Sequence, residues 1–194
     1  MQALTLRVIT EEHQALSAML RSLQMLLAQA RREHEMPDFD VLRAMLFYVD
    51  EFPERLHHTK ESELLFPRLR QRAPELVPVL DRLDADHARG EKAIRDLEHA
   101  LLAFEVMGEP RRAAFEEAVD RYVRFYLEHM SIEERDILPA ARQHFTAADW
   151  AELDTAFAAN RDPLTGHEAE EGYRPLFRKI VLSAPAPIGL GPSH

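Results

Sequence analysis

The sequence predicts an all-α protein: an up-down-up-down four-helix bundle with a short fifth helix and an extended C-terminal tail. Three observations carry this expectation. Only six glycines punctuate 194 residues, and no segment sustains period-two alternation with β-branched residues, so strands are not expected. Turn signals fall at Met36-Pro37-Asp38, Ala73-Pro74 and Gly108-Glu109-Pro110, where proline suits the first turn of a following helix. They cut residues 5–142 into four segments of about thirty residues, lengths that suit a bundle with short connections.

Each element can be justified in turn. In the first segment Ile9, His13, Leu16, Leu20, Leu23 and Leu27 follow at steps of four and three. The second carries His57, Glu61 and Pro67. The third continues the rule through Leu76, Leu80, Leu83, His87, Gly90, Ile94, Leu97 and Leu101, and the fourth through Phe115, Val119, Tyr122, Tyr126, His129 and Glu133. Such steps keep residues on one buried seam. Thr146, with Asp149 three residues on, announces the fifth helix as an N-cap. Beyond Asn160 the pattern decays, and the Pro- and Gly-rich stretch from Ser183 to Pro192 is incompatible with regular helix. The expectation is therefore a bundle with its extra helix over residues 1–160 and a tail over residues 161–194 lying on its surface.

Composition excludes several functions. Apolar residues make up 46% and charged residues 30%, the balance of a globular chain with a core. Cysteine is absent, which removes disulfides, iron–sulfur ligation and thiol nucleophiles and fits a reducing cytoplasmic interior. A formal charge of −10 disfavours nucleic acid as a partner. No run of 18 apolar residues occurs, and Met1 to Thr10 has no basic start followed by an apolar core, so neither membrane span nor signal peptide is expected. No phosphate loop, serine-nucleophile motif or basic stripe with aromatics appears.

The informative residues are histidines, ten in all. His13, His87 and His129, together with Glu133, occupy seam positions where a bundle normally places leucine, and burying them is costly unless they satisfy one another or bind something. The chain also repeats itself. Glu61 follows His57 by four residues and Pro67 follows Glu61 by six; Glu133 and Pro139 follow His129 at the same spacings. His13 after Glu12 corresponds to His87 after Asp86. This pattern reads as a duplicated helical hairpin.

The histidines also share one level. In an antiparallel hairpin, facing residues are equidistant from the turn. The midpoint of His13 and His57 is residue 35, that of His57 and His87 is residue 72, and that of His87 and His129 is Gly108. Each falls on or beside a turn identified independently. Four imidazoles and two carboxylates, Glu61 and Glu133, then converge in an apolar core. His and Glu four apart lie on one helix face and chelate one ion or present a carboxylate that bridges two. Mixed imidazole–carboxylate ligation without thiolate suits iron or manganese, with zinc less suited to a two-metal centre.

These residues resemble the haemerythrin-like, or HHE cation-binding, family. The resemblance rests on Ile9 to His13, His57 to Glu61 with Leu65-Phe66-Pro67, Asp86-His87, and Glu128-His129 with Glu133, and covers about residues 5–142. The ending, Leu176 to Ile180 through Pro185 to Gly191, is similar to the tail of bacterial members. Membership implies a four-helix bundle with a non-haem di-iron centre, bridged by oxo or hydroxo and carboxylate groups. Motif by motif, it makes His13, His57, Glu61, His87, His129 and Glu133 ligands. Oxygen-carrying haemerythrins have a fifth histidine on the third helix and an aspartate five residues after the last histidine; here Glu91 stands four after His87 and Glu133 four after His129. Glu91 is thus either a seventh ligand or an exposed acid beside Lys92, and reversible oxygen carriage is put in doubt.

Other positions have two readings each. Gly90, on the seam, either leaves space for a small ligand such as dioxygen or nitric oxide or permits close helix packing. Tyr122 and Tyr126 either donate to a bridge or ligand or simply pack. His58, rotated about 100° from His57 in an α-helix, is expected outside the ligand set or on the surface. His34, His99, His144, His167 and His194 are expected to be exposed. The functions consistent with all this are a di-iron protein that binds or senses iron or a diatomic gas (O2 or NO), a di-iron oxidoreductase acting on NO, peroxide or O2, and a metal-stabilised structural or interaction protein.

Overall fold

A computed structural model describes residues 3–191; His194 lies outside them, as do Met1, Gln2, Pro192 and Ser193. Helices dominate, and no strand occurs among the described residues. Helix α1 spans Leu4–Glu33 and stops where His34 turns left-handed, at φ 56°. The chain reverses through Met36-Pro37, and Asp38 caps the next helix by accepting from the backbone N–H groups of Asp40 and Val41. Helix α2 (residues 39–72) is composite: α-helical at Phe39–Val49, π-helical at Asp50–His58 and again at Glu61–Leu65, then α-helical at Phe66–Arg72. After Ala73 a 3₁₀ turn at Pro74–Leu76 leads into α3, Val77–Met107. Gly108, at φ 72°, ends α3 in a conformation that a side chain would disfavour. Helix α4 (residues 112–144) runs as α over Arg112–Ile132, π over Glu133–Ile137 and α over Leu138–His144. The short helix α5, Ala147–Phe157, opens with the expected capping box of Thr146 and Asp149.

The π segments follow from the prolines. A helix-interior proline has no N–H to donate, and its ring crowds the carbonyl four residues back; widening the helix by one residue relieves that conflict locally. Pro53 lies inside the first π segment. The other two begin at Glu61 and Glu133 and end just before Pro67 and Pro139 resume α winding. Phe66 N–H donates to the Glu61 carbonyl and Leu138 N–H to the Glu133 carbonyl, each five residues back. The repeat in the sequence is therefore a repeat in helix winding.

The expected extended tail is corrected in part. Beyond residue 160 the chain makes 3₁₀ turns at Pro163–Thr165 and Glu171–Tyr173, then a helix, α6, over Arg174–Ser183. Phe177 and Ile180, three apart, bury one face of α6 in the core, a pair too short to stand out as periodicity. After Ser183 the chain folds back, with Leu190 N–H donating to the Val181 carbonyl and Gly191 N–H to that of Ala184.

The apolar interior is divided. One cluster joins Leu16 to Leu27, Val41 to Phe52, Ile94 to Phe104 and Phe115 to Met130, with Phe177 and Ile180 added. The other joins Leu6 and Ile9, Leu65 to Leu69, Leu80 and Leu83, and Ile132 to Ala141, with Leu153 and Phe157 of α5. On the first three long helices the break between clusters contains His13, His57 and His87, and on α4 it is flanked by His129 and Glu133. A polar layer therefore crosses the molecule between two oily halves.

Candidate metal centre

The layer is built from both hairpins. His13 on α1 and His57 on α2 meet with their Nε2 atoms 3.2 Å apart, and His87 on α3 and His129 on α4 do the same at 3.0 Å. Glu61 and Glu133 lie between the pairs. Glu61 Oε1 is 3.2 Å from His57 Nε2 and its Oε2 is 3.6 Å from His87 Nε2. Glu133 Oε2 is 3.3 Å from His13 Nε2 and its Oε1 is 3.2 Å from His129 Nε2. Each carboxylate thus turns one oxygen to each histidine pair. All six residues are buried.

The far sides of the rings are held as well. His57 Nδ1 donates to Glu12 at 2.7 Å, and Glu12 also accepts from Asn160 Nδ2 at 3.0 Å, just beyond α5. His13 Nδ1 donates to Glu134 at 3.1 Å, and His87 Nδ1 lies 2.8 Å from Ser62 Oγ. A proton committed to Nδ1 leaves the inward Nε2 with a free lone pair, the form in which imidazole binds a metal.

Electrostatics shows how unbalanced the layer is. Burial alone lowers the His13 pKa, but the facing carboxylates of Glu133 and Glu134 reverse this and raise it to about 9. His57 is likewise driven well above its ordinary value, because Glu61 and Glu12 outweigh burial, and His129 is raised as Glu133 outweighs burial. His58 and His87 are pushed well below theirs, first by burial and then by neighbouring imidazoles. Burial, then the facing Glu133, raises Glu61; Glu133 is held well below the usual range, since His129 and His13 outweigh its burial.

The donor chemistry fits a cation. Both oxygens of Glu61 and both of Glu133 are buried without a hydrogen-bond partner, an arrangement costly enough to need a reason. Two groups of donor atoms lie within 4.8 Å of one another: His13, His57 and Glu61; and His58, Glu61, His87 and His129.

The second group contains a residue that α-helical spacing places elsewhere. His58 is buried, not peripheral. The π winding of Asp50–His58 turns the chain less per residue than an α-helix does, so His57 and His58 both face inward. Pro53, a few residues upstream, is the only sequence signal for this. Glu91, by contrast, is not brought to the cluster: its side chain is 55% exposed and paired with Arg95 at 2.6 Å. Four residues after His87 on a regular α-helix, it has turned just far enough to reach solvent. Gly90 provides no open space for a ligand, because a Cβ there would stand 1.7 Å from the Tyr126 hydroxyl. Tyr122 and Tyr126 are buried and donate to Glu54 Oε1, not into the layer. Of the remaining histidines, His34, His99 and His167 are exposed and His144 is half-buried.

Comparison with known proteins agrees. The family model of the hemerythrin HHE cation binding domain matches residues 4–141. Uncharacterized proteins of Mycobacterium tuberculosis and Mycobacterium bovis are 24% identical over 130 residues, 67% of this chain and 49% of theirs. The chain thus spans about half the length of these curated relatives. No solved structure matches it. Among the described residues no helix is long and apolar enough to cross a membrane. The buried His and Glu cluster, set where the family model matches, makes this chain a member of the hemerythrin HHE cation-binding family.

Proposed function

We propose that the chain is a non-haem di-iron protein, an up-down-up-down four-helix bundle that binds or senses iron or a diatomic gas. The topology is supported by one apolar cluster collecting the start of α1, the end of α2, the start of α3 and the end of α4. The observation that carries the metal reading is the convergence of four Nε2 atoms on four unpartnered carboxylate oxygens. His13 and His57 would hold one ion and His87 and His129 the other, with the Glu61 and Glu133 carboxylates, which face both histidine pairs, shared between them. Two shared carboxylates neutralise part of the cationic charge that burial penalises. Imidazole and carboxylate donors suit iron, and manganese shares the preference. When bound, such a pair supplies one-electron redox chemistry and positions for a small ligand.

One histidine pair has a small space beside it. Against His13 and His57 lies a narrow cavity of about 10 Å³, with Leu16, Phe52, Pro53 and Leu56 on its apolar side and Glu12, Asn160, Arg161 and Asp162 on its polar side. That is room for about one water-sized molecule.

Anaerobic loading with ferrous iron followed by elemental analysis tests the reading. About two ions per folded chain are expected. A plateau well below one overturns it. Turnover of NO, peroxide or O2 with a chemical reductant would instead assign the same centre to an oxidoreductase.

A further inference from the structure

The layer contains a fifth imidazole, with a support of its own. His58 has a donor atom within 4.8 Å of donors on Glu61, His87 and His129. Its Nδ1 donates to Glu54 Oε2 at 3.1 Å, which fixes the tautomer and leaves Nε2 the free lone pair. Its ring lies between two flat neighbours, His87 at 4.4 Å and 17° and Tyr126 at 5.3 Å and 1°. Glu54 is itself constrained, because its other oxygen accepts from both Tyr122 and Tyr126. The Tyr126 hydroxyl occupies the space that a side chain at residue 90 would fill. Gly90, Tyr122, Tyr126 and Glu54 are thus successive parts of one brace that ends at His58.

A buried histidine needing only a partner would be served by Glu54 alone. Here the ring orientation is fixed from three directions, and the backbone is wound as a π-helix so that consecutive histidines both turn inward. We propose that His58 is a metal ligand, joining His87 and His129 on one ion, and that Glu54, Tyr122 and Tyr126 are positioning residues that aim it. This rests on the two-ion reading above. It makes the two ions unequal. One has three imidazoles and two carboxylate oxygens; the other has His13, His57 and two carboxylate oxygens.

Unequal ions are distinguishable without any activity measurement. The full chain, loaded anaerobically with ⁵⁷Fe, should give two Mössbauer signals of equal area. In His58→Ala one signal should shift or disappear while the other is unchanged, and added imidazole should restore it. Glu54→Gln should weaken the same ion by about 10–100-fold, as loss of an orienting partner does, and Glu91→Ala should change nothing. Should His58→Ala fold poorly, His58→Gln, which keeps bulk in the layer, serves in its place. Two unchanged signals and full iron content in a folded His58 variant overturn the proposal. Wild-type chain that takes up no iron overturns the two-ion reading itself, which is a different result from two indistinguishable ions that survive loss of His58.

Discussion

Glu133→Ala should cost the protein most. Its two oxygens face His13 at 3.3 Å and His129 at 3.2 Å, and it is fully buried. In the metal-free chain the variant takes the facing carboxylate from His129 and leaves His13 with Glu134 alone, a loss of about 3–5 kcal/mol for one partner of a buried pair. The effect on metal is larger than that of losing one histidine, because each oxygen of Glu133 serves a different histidine pair. His13→Ala should weaken one ion, whereas Glu133→Ala should bring iron below one per chain. Thermal melts with and without ferrous iron provide a second check. A ligand present at 100 times its dissociation constant adds about 2.7 kcal/mol, and this gain should vanish in Glu133→Ala. A variant that still holds two ions would refute a bridging role.

Gly90→Ala should also be damaging, although alanine ordinarily stabilises a helix relative to glycine by about 1 kcal/mol. The new methyl would stand 1.7 Å from Tyr126 Oη and 2.6 Å from its Cζ, with Glu54 Oε1 at 3.2 Å. Tyr126 is fully buried against His58, so it has no easy retreat. Overpacking of this kind costs about 1–3 kcal/mol, and a lost hydrogen bond to Glu54 adds about 1 kcal/mol. Urea denaturation should show a net loss of about 2 kcal/mol despite the helix propensity. The same substitution in a Tyr126→Leu background should cost little, since the atoms it strikes are gone. Equal losses in both backgrounds would place the strain elsewhere.

The seam and the turns were legible in the sequence because both obey rules that act locally. Leucines at steps of three and four mark a buried stripe, and Pro37, Pro74 and Pro110 interrupt it. The equal spacing of His13, His57, His87 and His129 about those turns then follows from hairpin geometry, and the structure brings the four rings together. What escaped depends on winding that the 3.6-residue period does not describe. His58 faces inward because Asp50–His58 is π-helical. The outer partners of the rings, Glu134 and Asn160, are set by contacts between elements far apart in the chain. Helix α6 escaped for another reason: Phe177 and Ile180 become informative only against Tyr48 and Phe52, which pack on Phe177.

The polar layer also governs how the protein comes apart. Leucines and aromatics hold each oily half to itself, but across the boundary the helices meet through imidazoles and carboxylates rather than through interlocking apolar side chains. Without metal, that boundary carries four carboxylate oxygens with no hydrogen-bond partner, so the half containing α5 and the half containing α6 should open as separate units. Filled, it ties all four long helices at one level and makes opening a single event. Native-state hydrogen exchange should therefore resolve two protection classes in the metal-free chain and merge them on iron loading, so that bound ions would set the cooperativity of the molecule.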